Sequence, residues 1–164
     1  MATADPPTLY LLCGKIGSGK STLARRLAER PRTLLISEDH WTSRLFAEDL
    51  KTIDDYRRLS ARLRAAMGPH IVDVLRQGLS VVLDFPANTV VQRQWLRSLI
   101  TQSGANHEFH LLDVPDDVCK QRLRDRNAAG EHPFQVSDAD YEAFTRHFVS
   151  PGPDEGFNVI FQAH

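Results

Sequence analysis

Short apolar runs alternate along the chain with longer stretches in which apolar residues recur every three or four positions. Thr8-Leu9-Tyr10-Leu11-Leu12-Cys13 lacks the in-out alternation of a half-exposed strand and reads as a strand buried on both faces. A helix follows over about 19–30 and stops at Pro31, and Thr33-Leu34-Leu35-Ile36-Ser37 is a second apolar strand. Residues 40–50 read as helical, and 52–66 more strongly, with Ile53, Tyr56, Leu59, Leu63 and Ala66 at helical spacing. Gly68-Pro69 predicts a break or kink, after which Ile71, Val74 and Leu75 carry a helix to Gly78. Ser80–Asp84 is a third strand, 89–103 a helix ending before Gly104, and Glu108–Val114 a fourth strand. Helix over 115–127, loop over 128–137, helix over 138–149, a Pro151-Gly152-Pro153 connector and a strand over 157–161 complete the pattern, behind a frayed lead-in at 1–7.

Strands alternating with helices predict an α/β fold with a parallel sheet covered on both faces. In such sheets ligands sit beyond the carboxyl ends of the strands, which directs attention to Gly14–Ser21, Ser37–Asp39 and Asp84–Asn88. The 164 residues suit one domain with one core. A net charge of −1 gives no overall electrostatic case for nucleic acid. Cys13 and Cys119 have no metal-ligand spacing, and the seven histidines show no zinc-type pairing. No signal-peptide pattern and no apolar run of membrane-spanning length appear, so a cytoplasmic, reducing setting is expected.

Gly14-Lys15-Ile16-Gly17-Ser18-Gly19-Lys20-Ser21 fits G-x-x-x-x-G-K-[ST] at every fixed position, between a predicted strand and a predicted helix. That context is what a phosphate-binding loop needs. Glycines let the backbone curl its N–H groups towards a phosphate, and the helix that opens there, through Ser21 and Thr22, adds the positive end of its dipole. Lys20 is placed to reach the β- and γ-phosphates of ATP, and Ser21 to hold Mg²⁺. Asp84, at the end of an apolar strand, either joins Ser21 on the metal or caps the following turn. Glu38 and Asp39 close the second strand. A carboxylate there either takes the proton of a hydroxyl attacking the γ-phosphate or, like Ser37, caps the next helix. Arg122 and Arg126 share a helix face, where they either neutralise the charge of a transferring phosphoryl group or form a solvated basic face. Arg93 reads as an acceptor or phosphate contact or as a surface residue, and Trp41 and Arg44 as acceptor-pocket candidates, with Trp41 also a core candidate. Arg44, Arg57, Arg58, Arg62 and Arg64 either line a basic groove towards Asp39 or decorate a solvated helix, the second being favoured.

The loop at 14–21, the Ser37-Glu38-Asp39 turn, Val82–Thr89 and Arg122-x-x-x-Arg126 occur in the same order in small P-loop kinases. The chain resembles their zeta-toxin and polynucleotide-kinase-like branch, including short bacterial proteins labelled AAA family ATPase. The resemblance implies a three-layer P-loop NTPase fold with a five-stranded parallel sheet in the order 2-3-1-4-5. It also implies a single kinase-like domain over 1–164, with a lid near 122–135 and acceptor-side helices near 40–77. Asp39 then falls at the general base, Arg122 or Arg126 at the lid arginine, and Gly152–Asn158 near the adenine. The expected activity is transfer of the ATP γ-phosphate, with Mg²⁺, to a hydroxyl of a small acceptor by a monomer or weak dimer. His40-Trp41-Thr42 departs from the polynucleotide kinases, and with the charge this favours a small molecule over nucleic acid. A regulatory ATPase that phosphorylates nothing is one alternative, and a nucleic-acid 5′-hydroxyl kinase or zeta-toxin-like kinase another.

Overall fold

The computed structural model describes residues 5–130 and 135–163. The chain runs β1 (Thr8–Cys13), α1 (Lys20–Ala28), β2 (Thr33–Ser37), α2 (Glu38–Leu45), α3 (Ile53–Arg76), β3 (Ser80–Asp84), α4 (Val90–Ser103), β4 (Asn106–Leu111), α5 (Asp116–Ala129), α6 (Asp138–Thr145), a 3-10 turn at Pro153–Glu155 and β5 (Val159–Phe161). Every strand pairing is parallel, and the sheet order is β2-β3-β1-β4-β5, as expected.

Period-2 alternation inside β1 and β3 supplies both faces of the sheet with apolar side chains. Leu9, Leu11, Val81 and Leu83 pack with the α3 and α4 residues Leu63, Ile71, Leu75, Leu96 and Leu99. Tyr10, Leu12 and Val82 pack on the other face against Ala24 and Leu27 of α1. Pairing of Ser37 with Asp84 in the β2–β3 register brings the carboxyl ends of those strands side by side.

Several boundaries differ from expectation. α3 continues through Gly68-Pro69. Leu59, Leu63, Met67, Ile71 and Leu75 recur every four residues on its buried face. Each contributes roughly 1.5–3 kcal/mol by burial, which together outweighs the roughly 3 kcal/mol that an interior proline costs. α2 begins at Glu38 because Ser37 caps it, accepting from the His40 N–H at 3.3 Å. β4 starts earlier and ends sooner than predicted, at Asn106–Leu111, and α6 ends at Thr145. Part of the expected lid (131–134), His132, His164 and the first residues of the lead-in lie outside the described residues. Among the described residues, no helix is long and apolar enough to cross a membrane.

Candidate active site

The loop between β1 and α1 forms a tight cradle. Gly17 and Gly19 have φ of +80° and +99°, a region that side chains disfavour. A Cβ at Gly14 would stand 2.5 Å from Ser18 Oγ, and one at Gly17 would stand 2.8 Å from the Cys119 carbonyl oxygen. The Ser18 N–H donates to the Lys15 carbonyl at 3.0 Å, closing the turn. Lys20 Nζ donates to the carbonyls of Gly14 at 2.6 Å and Lys15 at 3.1 Å. Its ammonium thus lies inside the loop, where burial lowers its pKa and the Asp84 carboxylate partly restores it. Buried Ser18 Oγ has no hydrogen-bond partner among the described residues. Asn88, which the motif did not single out, pins the loop entrance: its Oδ1 accepts from the Gly14 N–H at 3.1 Å. Lys15 points away from the cradle, to Asp116 Oδ1 at 2.8 Å, and Ile16 packs with the Val114–Cys119–Leu123 cluster.

At the neighbouring strand ends, Ser21 Oγ donates to Asp84 Oδ2 at 2.8 Å. Burial raises the Asp84 pKa, opposed by the Ser21 hydrogen bond and by Lys20. The hydroxyl and carboxylate are hard oxygen donors, the kind Mg²⁺ requires, so these two residues fit that ion. The adjacent acids of α2 separate cleanly. Glu38 is 1% exposed and accepts from the Tyr56 hydroxyl and from Ser60 Oγ at 3.1 Å, with Arg64 3.6 Å away. Asp39 is exposed, and its carboxylate makes no hydrogen bond among the described residues. It stands in the first turn of α2, two residues after Ser37, which pairs in register with Asp84. The Tyr56, Ser60 and Arg64 partners of Glu38 were not foreseen. Only their i, i+4, i+8 spacing on α3 signals them.

α5 carries both arginines to this cleft. Arg122 Nη1 donates to the carbonyls of Ser18 at 3.1 Å and Gly17 at 3.4 Å. Arg126 is half-buried, and its Nε has no partner among the described residues. Burial lowers its pKa and Asp39 opposes the shift. Arg124 points elsewhere, to Asp138 at 2.6 Å. Arg93 is neither a surface residue nor placed at the phosphates. It is 1% exposed and donates to Glu155 Oε1 at 2.6 Å and to the carbonyls of Ala87 and Val149 at 2.9 and 2.7 Å. Gly156 likewise docks on α4, through Arg97 at 2.9 Å. The tail residues that do approach the phosphate loop are Gln162 and Ala163. With Ser18, Gly19, Thr22, Leu112 and Arg122 they border an open recess of about 370 Å³. Trp41, at 41% exposed, is not core. Three of the α3 arginines have partners: Arg64 lies 3.6 Å from Glu38, Arg58 pairs with Asp55 at 3.5 Å, and Arg62 lies 5.9 Å from the Phe46 ring centroid, while Arg57 is exposed.

A parallel sheet in this order, with a glycine cradle after its central strand and acids after β3 and β2, the two strands on one side of it, is a kinase-like P-loop arrangement. The AAA domain family model matches residues 9–151. The chain belongs to that family. Among solved structures it is similar to a candidate kinase from Chloroflexus aurantiacus, at 23% identity over 96% of this chain and 85% of that one, with a TM-score of 0.74. A sugar kinase from Janibacter sp. HTCC2649 follows at 21% identity, 95% and 86% coverage and a TM-score of 0.67. The APS kinase of Mycobacterium tuberculosis, solved with AMPPNP and APS, matches at 18% identity, 97% and 90% coverage and a TM-score of 0.64. At these identities the likeness is one of fold. No curated protein matches the chain.

Proposed function

We propose that this protein is an ATP-dependent kinase that transfers the γ-phosphate to a hydroxyl of a small acceptor. The observation that carries the reading is Asp39. Ser37 has taken the capping role and Glu38 the structural one, which leaves an exposed carboxylate at the rim of the phosphate cradle with no other work. In this reading the triphosphate lies in the loop at Gly14–Ser21 and the base in the recess towards Gln162. Mg²⁺, held by Ser21 and Asp84, would supply charge neutralisation on the phosphates. Lys20 leaves its loop carbonyls for phosphate oxygens. Asp39 takes the proton of the acceptor hydroxyl, whose oxygen forms a bond to the γ-phosphorus as the bond to the bridging oxygen breaks and ADP departs. Arg122, already on the loop, and Arg126, one turn further along the same helix, offset the charge that spreads over the γ-oxygens.

A small acceptor is favoured by the net charge of −1 and by the engagement of Arg58, Arg62 and Arg64 with neighbouring side chains. Polynucleotide binding draws on a run of free cations. The test is ADP release against a panel of sugars, nucleosides, antibiotics and oligonucleotides. Asp39→Asn is expected to lower acceptor-dependent turnover about 10²–10⁴-fold, with nucleotide affinity nearly unchanged. Full turnover in that variant removes Asp39 from the mechanism, and ADP release indifferent to every acceptor replaces the kinase reading with a regulatory ATPase.

A further inference from the structure

The recess beside the phosphate loop ends on Gln162, and a buried histidine holds Gln162. His110 is 4% exposed, and its Nδ1 lies 2.8 Å from Gln162 Nε2. On the other side of the ring, buried Nε2 has no hydrogen-bond partner among the described residues, and the carboxylate oxygen near it, Glu108 Oε1, lies 3.6 Å away, a charge contact rather than a hydrogen bond. Burial, the largest influence, and Arg30 hold the His110 pKa below its ordinary value against the opposing pull of Glu108, so the neutral ring is present at neutral pH. A neutral imidazole carries one proton. The negative charge of the carboxylate 3.6 Å away favours that proton on Nε2; Nδ1 is then an acceptor and the Gln162 amide presents its NH₂ there. What remains for a ligand is the Gln162 carbonyl oxygen, which only accepts.

The position of that oxygen relative to a bound nucleotide follows from the sheet. From the phosphate loop outwards the strands run β1, β4, β5, and the recess runs the same way, past Leu112 and Val114 to Gln162 and Ala163. A purine is joined to its ribose at N9, so the edge farthest from the phosphates carries the 6-substituent. That edge meets the far wall.

We propose that Glu108, His110 and Gln162 form a relay that makes the recess selective for a 6-amino purine, with His110 and Glu108 as positioning residues and Gln162 as the reading residue. A 6-amino group donates to the Gln162 carbonyl oxygen. A 6-oxo group puts two acceptors face to face and leaves both unpaired. The proposal rests on the kinase reading only for the place of the base.

The test is calorimetric binding of the full chain to the β,γ-imido analogues of ATP and of inosine triphosphate, which differ at the 6-position, with no acceptor present. The wild-type protein is expected to prefer the adenine analogue by roughly tenfold or more. Gln162→Ala and His110→Leu are each expected to bring the two affinities within about twofold, with thermal melts checking that the variants fold. Equal wild-type affinities overturn the relay, and so do variants that weaken both analogues together and keep their ratio, since that is what a merely structural role would do. Failure to bind either analogue overturns it as well. Adenine preference without phosphorylation of any acceptor supports the relay and sinks the kinase reading alone. Acceptor phosphorylation with equal binding does the reverse.

Discussion

Glu38 and Asp39 are adjacent carboxylates in opposite environments, and the contrast decides what each can do. Glu38 sits among Tyr56, Ser60 and Arg64, and burial raises its pKa above the ordinary 4.5, against the opposing hydrogen bonds and Arg64. A raised folded-state value means that the fold favours the protonated form. Its contribution is therefore full below the unfolded pKa and is lost as pH rises through the folded one. Glu38→Gln keeps an acceptor for Tyr56 and Ser60 and removes the ionisation. Urea melts across pH 4–8 should show a flatter decline in stability in this variant than in the wild type. Glu38→Ala should instead cost about 1–3 kcal/mol, because the Tyr56 and Ser60 hydroxyls lose their acceptor. An identical pH slope in Glu38→Gln would mean that Glu38 does not titrate in this range. The sequence placed both acids at the strand end but could not rank them by burial, since their partners lie 18–26 residues away on α3.

α3 shows where periodicity was legible and where a local signal misled. Its apolar spacing before and after Gly68-Pro69 was visible in the sequence, whereas its continuity was not, because continuity depends on what the helix packs against. Gly68 is buried against α4: a Cβ there would meet Trp95 Nε1 at 3.4 Å and Leu99 Cδ2 at 3.6 Å, ordinary contact distances. Pro69 is exposed and lacks the N–H that would bond to the Ala65 carbonyl. Both residues lower helix propensity without an irreplaceable contact. Pro69→Ala should therefore raise unfolding stability by about 1–3 kcal/mol and Gly68→Ala by up to about 1 kcal/mol, measured by urea denaturation. A loss of stability in Pro69→Ala would show that the proline holds a curvature that α3 needs. Arg93 gave the converse difficulty. Its place in an amphipathic pattern gave no sign that Glu155, 62 residues on, and three backbone carbonyls would draw it inside to anchor the return of the chain towards β5.

For the molecule as a whole, the central position of β1 makes nucleotide binding a global event. Strand alternation, the glycine motif and the resemblance to small P-loop kinases were enough to anticipate the strand order, and the structure brings Ser21 and Asp84 together beside the loop that holds Lys20. The recess beside the phosphate loop was not legible, because it is assembled from that loop, α1, the residues after β4, α5 and the residues after β5. A ligand spanning these elements binds the folded chain and not the unfolded one. At 100 times its dissociation constant it stabilises the fold by about 2.7 kcal/mol, which for a domain of this length is a rise in Tm of roughly 5–10 °C. The β,γ-imido analogue of ATP should produce that rise as a shift of one cooperative transition, since β1 and β3 contribute to the apolar clusters on both faces of the sheet. Lys20→Ala removes the ammonium that the loop carbonyls hold in readiness, and its shift should fall below about 2 °C at the same nucleotide concentration. An undiminished shift in Lys20→Ala, read by differential scanning fluorimetry, would place the triphosphate somewhere other than the cradle at Gly14–Ser21.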